Sequence, residues 1–385
     1  MKKIVIILGI ISVLYSCREE ANYKGKFPII NTESDDEAII SDLFESKQII
    51  PLETTDRSLI GLGISRLDSH EGKIFILNSL SSRRNVLCFD LTGKYLFSID
   101  RMGNGPEEYT YLGDFVIDKY KKEIILANDN NVFQVFDLDG KYIERKEARD
   151  RYFNRHLIQK DDTSFIAYNS VHSVPYSHYL LELDSDSFNI RKSVYEPLDK
   201  LGDMGDRTLS IYDNKVIYYN SNDTIYNVLS DMEQEPQYYV NLGKNTQMAK
   251  REIVGVSPET FDIEIQKQFD MGKLKIVTSI FENEKWVAIS TLHYTNDFVY
   301  NTFFYNKESQ ITYNAENIDF CLRKNKSIKN IEIIGTLDNG AFCCLIHDEL
   351  LDLDEEKIEE NWIYPPGASL HIDIDEDNPI LFVLK

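Results

Sequence analysis

The sequence lacks clusters of basic residues, long hydrophobic runs and the common catalytic motifs, and each absence excludes a class of protein. It has 42 Lys+Arg against 64 Asp+Glu and a net charge of -22, so it would repel phosphate backbones. Nucleic acid and anionic lipid surfaces are therefore not expected as partners. The apolar run from Ile4 to Tyr15 is 12 residues long, whereas a membrane-spanning helix needs about 20.

No motif assigns an enzyme class. The sequence contains no Gly-x-Ser-x-Gly elbow, no His-Glu-x-x-His helix, no Walker loop and no dinucleotide fingerprint. The composition is that of a folded protein. The sequence contains 42% hydrophobic residues, with 23 Tyr and 20 Phe, which is ample for a packed core and argues against a disordered chain. At about 150 residues per domain, the length of 385 residues suggests two or three domains, but a single large β domain remains open.

The N-terminus has the pattern of an export signal. Lys2 and Lys3 form a basic start, and the short apolar run that follows reads as the hydrophobic region of a signal peptide over residues 1–16. The sequence Leu-Tyr-Ser-Cys that ends at Cys17 resembles a bacterial lipobox, in which the cysteine is lipidated. Because two or more acyl chains anchor a protein stably, Cys17 would hold the chain at a membrane. The alternative is an ordinary secretory signal followed by a chance cysteine.

The segment after Cys17 is polar and acidic. The residues Arg-Glu-Glu at 18–20 resemble the signals that send some lipoproteins to the outer face of the outer membrane, with a solvated charge cluster as the alternative. Residues 17–45 show little periodicity and are predicted to be a tether that becomes structured near Phe44. We therefore expect an outer-membrane, lipid-anchored protein that is periplasmic or surface-exposed.

From residue 46 onward the sequence repeats a pair of strand patterns. The motif Phe-Asp-Leu-x-Gly-Lys-Tyr begins at Phe89 and again at Phe136, a period of about 47 residues, which is typical of propeller blades. Six candidate inner strands begin near residues 73, 123, 164, 215, 285 and 341. We expect the ring to close by pairing of residues 49–52 with the C-terminal blade. Ser257, as an N-cap before a proline, predicts a short inserted helix, and residues 348–360 form a second, acidic insertion.

These features resemble a known family. The lipobox, the paired strand motifs, the run Gly-Asn-Gly-Pro-Glu-Glu-Tyr at 103–109 and the closing strand at 378–384 are similar to the six-bladed β-propeller lipoproteins of gut anaerobes. That family is related to NHL-type propellers and has no settled activity. The resemblance covers about residues 48–385 and implies an all-β fold, a six-bladed β-propeller over residues 46–385. The family usually has Gly where this chain has Glu107.

Two groups of residues are candidates for a binding site. The first is the loop after Asp100, whose glycines are expected to have positive φ angles; its candidates are Arg101, Asn104, Glu107 and Tyr109. They would line the mouth of the central channel, unless the loop merely joins two blades and Tyr109 packs between them. The second group is His172 and His178, which flank a short loop and for which rim histidines without a metal are the alternative.

Metal sites are not predicted, although a structural or channel calcium is left open. The Asp-x-Asp-Gly sequence at 137–140 lacks the later ligands of an EF-hand, so we expect a hairpin turn. The acidic runs at 352–356 and 373–377 have no glycine for a sharp loop, so a solvated surface is the favoured interpretation and a weak calcium site the alternative. Cys88, Cys343 and Cys344 lie in strand patterns and are expected to be buried thiols, while Cys321 is a candidate for a disulfide.

Two functions from different classes follow. The leading hypothesis is a cell-envelope binding or interaction module whose acidic face or channel mouth engages a glycan, a peptide or a partner protein. The alternative is a propeller hydrolase or lyase with a metal-dependent site in the central channel. The alternative predicts carboxylates that converge at the channel centre.

Overall fold

Short runs of β-branched and aromatic residues separated by Asn, Asp and Gly fold into strands joined by tight turns. The computed structural model describes residues 27–34, 37–39, 43–61, 63–79, 84–128, 131–150, 152, 154–169, 178–195, 207–220, 222–254, 260–294, 298–317, 331–346, 350–352, 362–363, 365, 371–373 and 377–385.

The strands, in chain order, are β1 (Ile29–Asn31), β2 (Glu37–Ile39), β3 (Lys47–Pro51), β4 (Ile64–His70), β5 (Lys73–Ser79), β6 (Arg84–Asp90), β7 (Tyr95–Ile99), β8 (Leu112–Asp118), β9 (Glu123–Asn128), β10 (Val132–Asp137), β11 (Tyr142–Glu147), β12 (Asn154–Gln159), β13 (Ser164–Asn169), β14 (His178–Asp184), β15 (Ile190–Tyr195), β16 (Leu209–Tyr212), β17 (Lys215–Asn220), β18 (Thr224–Val228), β19 (Gln234–Asn241), β20 (Ile276–Glu282), β21 (Trp286–Tyr294), β22 (Phe298–Asn306), β23 (Thr312–Asn317), β24 (Ile331–Thr336), β25 (Phe342–Ile346), β26 (Leu350–Asp352), β27 (Trp362–Ile363), β28 (His371–Asp373) and β29 (Ile380–Leu384). Two helices, α1 (Lys244–Val254) and α2 (Phe261–Asp270), lie between β19 and β20.

Six sheets form the blades of a propeller. The first three blades are the four-stranded sheets β4–β7, β8–β11 and β12–β15, and each of the last three has a fifth strand. The first strands of the six blades, β4, β8, β12, β16, β20 and β24, contact one another in a closed ring. The structure thereby confirms the six-bladed β-propeller that the repeat predicted.

The ring closes with strands from both ends of the chain. In the sixth blade β29 pairs with β25 on one side and with β3 on the other, in the register Ile380 to Pro51 and Leu384 to Lys47. A propeller has few exposed strand edges once strands from the two ends of the chain pair with each other in one blade. The predicted closure by residues 49–52 is confirmed.

The N-terminal segment departs from the predicted tether. Strand β1 adds in parallel to the outer edge of β19, and β2 adds in parallel to the outer edge of β23. Residues 29–31 and 37–39 are therefore edge strands of the fourth and fifth blades and not part of a free tether, and β3 then pairs within the sixth blade. The polar composition did not indicate these strands, because a strand at the edge of a sheet is held mainly by backbone hydrogen bonds and needs few apolar side chains. In β1 the buried apolar side chain is Ile30. Residues 17–26 lie outside the described residues.

The six candidate inner strands prove to be the second strands of the blades. The runs near residues 73 and 123, for example, are β5 and β9, whereas the strands at the channel are β4 and β8. Each second strand lies between two strands of its own sheet, and both of its faces pack against adjacent blades, so the second strands are the most uniformly apolar. The inner strands carry polar residues and gave a weaker signal for that reason.

The core lies between adjacent blades. Phe133 of the second blade stacks on Phe188 of the third, with ring centroids 4.0 Å apart. Cys88, Cys343 and Cys344 are buried free thiols, as expected, and burial raises the pKa of each; that of Cys88 rises to about 12. Cys321 lies outside the described residues, as does Cys17.

The helical insertion is larger than the sequence indicated. The expected helix is present as α2, which begins at Phe261 after Thr260, and the predicted N-cap Ser257 lies outside the described residues. Helix α1 was missed. The two helices share a small core of Ala249, Ile253 and Phe269 with Leu274. Within the described residues, no helix is long and apolar enough to cross a membrane.

Candidate ligand-binding site in the central channel

A cavity of about 890 Å³ lies in the channel, and all six inner strands contribute to its wall. Its outer part is formed by the hairpins that join the first and second strands of the blades, such as the turn at Asp213 and Asn214 and the turn at Asp338 to Gly340. The cavity therefore opens on the face of the propeller where these hairpins lie. Its volume is within the usual range of small-molecule pockets.

Each blade has a buried polar residue on its inner strand or just before it, and these residues are linked across blades by ion pairs, hydrogen bonds and charge. We refer to these six residues, all 7% exposed or less, as the polar ring. They are Arg66, Asp114, His156, Arg207, Ser279 and Glu332. Five of them lie within the inner strands, and Arg207 lies two residues before β16, where it bridges to Ser279 of β20.

Arg66 and Asp114 form one ion pair of the polar ring. The Arg66 guanidinium donates to the Asp114 carboxylate at 2.7 Å, and the Leu157 backbone N–H donates to the same carboxylate oxygen at 2.6 Å. Arg66 also donates to the Leu157 carbonyl of the third blade. Burial raises the pKa of Asp114 to about 6, against the lowering effect of Arg66. The carboxylate is thus ionised at neutral pH and held between three blades.

Arg207 and Glu332 form the second pair. Arg207 donates to the Glu332 carboxylate of the sixth blade, and its Nη1 donates at 3.0 Å to the carbonyls of Ile64 and Ser65. Ile64 and Ser65 belong to β4 of the first blade, and Arg207 precedes β16 of the fourth blade, which lies opposite the first in a ring of six. The Arg207 side chain therefore reaches across the channel to the opposite blade, and Arg66 and Arg207 together form the floor of the cavity.

His156 lies between the two arginines. Burial and the charges of Arg66 and Arg207 hold the pKa of His156 well below its usual range, so its imidazole is neutral at pH 7. Its Nδ1 is buried and has no hydrogen-bond partner among the described residues, and the same is true of Arg207 Nε and Ser210 Oγ. All three residues line the cavity.

Ion pairs surround the mouth of the cavity. Lys119 Nζ lies 2.8 Å from the Asp338 carboxylate, and Lys215 and Lys307 both pair with Glu282, at 3.0 and 2.5 Å. Two tyrosines also line the opening. The ring of Tyr212 reaches Gly340, where a Cβ would lie 2.9 Å from it, so the glycine makes room for the tyrosine. Tyr120 is 58% exposed.

The loop predicted to line the mouth lies elsewhere. It joins β7 to β8, and because antiparallel strands reverse direction at every turn, such a loop lies at the opposite face from the first-to-second-strand hairpins. Tyr109 is buried between the first and second blades and donates its hydroxyl to the Arg84 carbonyl at 2.7 Å. Arg101 pairs with Glu107 and lies over the ring of Phe136, and none of these residues lines the cavity.

The glycines of this loop serve a different purpose from the one expected. Neither Gly103 nor Gly105 has a positive φ angle. A Cβ on Gly103 would lie 2.1 Å from the Glu108 carboxylate, which accepts a hydrogen bond from the Gly105 backbone N–H at 2.7 Å. The glycines leave room for that carboxylate. Asn104 is exposed in the same loop.

The remaining sequence candidates are less defined. His172 lies outside the described residues, and the backbone of His178 begins β14, paired with Tyr195. The Asp-x-Asp-Gly sequence is a hairpin turn, as expected, with Gly140 at a φ of 78°. In the part of the chain that the structure describes, no group of three or more His, Cys, Asp or Glu side chains is placed to hold a metal ion.

Sequence reasoning missed the polar ring. The available signal was a charged residue within a strand run, as at Arg66 in Ile-Ser-Arg-Leu and at Asp114 in Gly-Asp-Phe-Val. Charged residues are seldom fully buried unless they are paired. A charge inside an inner strand therefore indicates either a solvent-filled channel or a partner from another blade, and sequence alone does not name the partner.

Comparison with known proteins agrees with this fold. Residues 26–385 match the family model described as Domain of unknown function (DUF4934). A crystal structure of a Bacteroides fragilis protein presumed to be exported is similar, with a TM-score of 0.64 and 18% identity over 94% of this chain and 99% of that chain. A member of the duf4221 family from Bacteroides vulgatus has a TM-score of 0.46 and 10% identity over 89% of this chain and 97% of that chain. No curated protein matches. Because the family model spans the whole propeller, the chain belongs to the DUF4934 family.

Proposed function

We propose that this chain is a binding module of the cell envelope that takes a ligand, or one end of a larger ligand, into the channel cavity. The cavity carries this proposal: six strands line it, and Arg66 and Arg207 lie at its floor. A pocket of about 890 Å³ can bury most of a small molecule or the end of a glycan or peptide. A partner protein would contact the cavity through a protruding segment.

The geometry gives less support to the metal-dependent hydrolase or lyase. That activity would need carboxylates free to converge on one cation. The two carboxylates of the polar ring, Asp114 and Glu332, are each engaged by an arginine, and a cation beside them would meet two guanidinium charges. Binding is therefore the function that we infer.

The cellular location is a second part of the proposal. The lipobox-like sequence before Cys17 and the presumed export of the similar Bacteroides fragilis protein support an exported, lipid-anchored chain. The acidic residues after Cys17 favour the outer membrane. The propeller would then bind its ligand on the periplasmic side or at the cell surface.

A cavity-filling variant tests the binding site. Thr336 lines the cavity at the end of β24, so Thr336→Trp would occupy the space with an indole ring that strands accommodate well. Thr110→Trp is the matched control, because Thr110 is exposed in the loop on the opposite face.

The full chain would be incubated with an extract of small molecules and oligosaccharides from the envelope, and retained compounds identified by mass spectrometry. Affinities would then be measured by calorimetry. We expect binding by the unmodified chain and by Thr110→Trp, and a loss of at least about tenfold in Thr336→Trp. Equal affinity in all three proteins would refute the cavity as the binding site.

A further inference from the structure

We propose that the mouth of the channel cavity binds the carboxylate of a sugar acid, such as a uronic acid at the end of a glycan, between Lys215 and Lys307. This inference rests on the proposed function, since it names the class of ligand for the same cavity. Three observations carry it. Two lysines share one carboxylate in the cavity wall, the cavity is richer in basic side chains than the chain as a whole, and the ring of Tyr212 lies beside the lysines.

Lys215 and Lys307 carry two positive charges against the single negative charge of Glu282. Lys215 Nζ lies 3.0 Å from both carboxylate oxygens, and Lys307 Nζ lies 2.5 Å from one of them. Lys307 also donates to the Asn283 carbonyl. These contacts use two of the three N–H donors on each ammonium group, which leaves one donor on each for a ligand.

The lysines are more open than the carboxylate that they share. The Glu282 side chain is 5% exposed, whereas those of Lys215 and Lys307 are 30% and 26% exposed, and all three residues line the cavity. A ligand in the cavity therefore meets the ammonium groups more readily than the carboxylate. Hydrogen bonds between an ammonium group and a carboxylate are stronger than those between neutral groups. A carboxylate placed between the two lysines would form two of them.

The cavity differs in charge from the rest of the chain. The sequence has 42 Lys+Arg against 64 Asp+Glu, but among the described residues that line the cavity six are Lys or Arg and five are Asp or Glu. Two of these five, Asp213 and Glu284, are exposed in hairpin turns, where water weakens their effect. Arg66 and Arg207 at the floor each have a carboxylate partner of their own. The shared carboxylate at the mouth therefore marks where an anion gains most.

The ring of Tyr212 offers a surface for a sugar beside the lysines. Tyr212 and Lys215 are cross-strand partners in the hairpin that joins β16 and β17, so their side chains project from the same side of the sheet. The ring lies against Gly340, whose carbonyl accepts a hydrogen bond from the Asn283 side chain, next to Glu282. The C–H face of a sugar ring can pack on an aromatic ring. The C-terminus of a peptide has a carboxylate but no such face, so a sugar acid fits better.

The test compares matched acidic and neutral probes on the full chain. The probes are glucuronic acid with glucose, galacturonic acid with galactose, and trialanine with its C-terminal amide. Binding is measured by calorimetry and ligand-observed NMR at pH 7. We expect at least one uronic acid to bind and its neutral counterpart to bind at least about tenfold more weakly. Thr336→Trp should abolish this binding, and Thr110→Trp should leave it unchanged.

Charge variants locate the carboxylate of the ligand. Lys307→Met removes one ammonium group but leaves Glu282 paired with Lys215, so the fold should persist, as circular dichroism would check. We expect the uronic acid to bind this variant about tenfold more weakly. Lys192→Met is the matched control: it changes the net charge equally, and Lys192 also shares a carboxylate with a second lysine, at Glu182, but is not among the described residues that line the cavity. Its affinity should be unchanged.

Glu282→Gln tests the same arrangement in the opposite direction. The amide keeps the size of the side chain and its hydrogen-bonding oxygen but removes the charge that competes with the ligand for the two lysines. We expect the uronic acid to bind this variant about three- to tenfold more tightly than the unmodified chain. Weaker binding would overturn the proposed contact.

The remaining outcomes separate the ligand class from the proposed function. The sugar acid is overturned if no uronic acid binds, if a neutral sugar binds as tightly as its acid, or if trialanine binds more tightly than every uronic acid. Equal affinity in Lys307→Met and Lys192→Met would also overturn it. If an envelope compound other than a sugar acid loses affinity in Thr336→Trp, the proposed function stands and this inference fails. If no ligand from the panel or the extract depends on the cavity, both fail.

Discussion

Removing the positive charge of Arg207 should destabilise the propeller far more than removing an exposed charge. In the variant Arg207→Met the Glu332 carboxylate, 4% exposed, would lose its ion-pair partner, and the carbonyls of Ile64 and Ser65 would lose a donor. Breaking a buried ion pair from one side costs about 3–5 kcal/mol. The cause is burial of the Glu332 carboxylate without the guanidinium charge that pairs with it.

This loss of stability can be converted into a change in melting temperature. Unfolding entropy is about 2.1 cal/mol/K per residue, so a propeller of about 360 residues has an unfolding entropy of about 0.75 kcal/mol/K. A loss of about 3–5 kcal/mol then lowers the melting temperature by about 4–7 °C. Differential scanning calorimetry at pH 7 measures this shift, and tryptophan fluorescence provides a second probe of the same transition.

Two further proteins make the result interpretable. Lys285→Met breaks an exposed pair in which Lys285 Nζ lies 2.9 Å from Glu45, and exposed pairs contribute little, so no measurable shift is expected. The double variant Arg207→Met with Glu332→Met removes both buried charges and should recover most of the loss, to within about 1–3 °C of the unmodified chain. If Arg207→Met melts no lower than Lys285→Met, the buried pair of Arg207 and Glu332 does not stabilise the fold and the reasoning is wrong.

Three other perturbations follow from the sequence and the structure. The folded chain holds the pKa of His156 below its ordinary 6.5, so below about pH 6.5 the unfolded chain binds a proton that the folded chain does not, and stability is lost as pH falls. The difference in the free energy of unfolding between the unmodified chain and His156→Gln should therefore shrink by about 1.4 kcal/mol per pH unit. Urea unfolding at several pH values measures this difference. Asp114, whose raised pKa acts in the opposite direction, is common to both proteins and cancels. Cys17→Ala should move the chain from the membrane fraction to the soluble fraction and abolish palmitate labelling; unchanged fractionation would contradict the lipid anchor. Tyr109→Phe should cost about 1–3 kcal/mol, because the Arg84 carbonyl loses its donor, and a melting temperature equal to that of the unmodified chain would show that water replaces it.

The fold could be predicted because each blade repeats the same local chemistry. Gly93 in a Thr-Gly turn and Gly140 in an Asp-Gly turn have positive φ angles and follow runs rich in apolar residues, so the hairpins are encoded within about a dozen residues. Local signals of this kind survive in a single sequence. The number of blades followed from the six candidate strands that the sequence contains, one for each blade.

The site could not be predicted because it is assembled from distant residues. Arg66 and Asp114 are 48 residues apart in the chain, and Arg207 and Glu332 are 125 apart. Nothing in the sequence near one partner specifies the other, and only closure of the ring brings them together. The Gly103 loop had the opposite property: its glycines and proline were conspicuous locally, but their role is to fit the Glu108 carboxylate and to seat Tyr109 between blades.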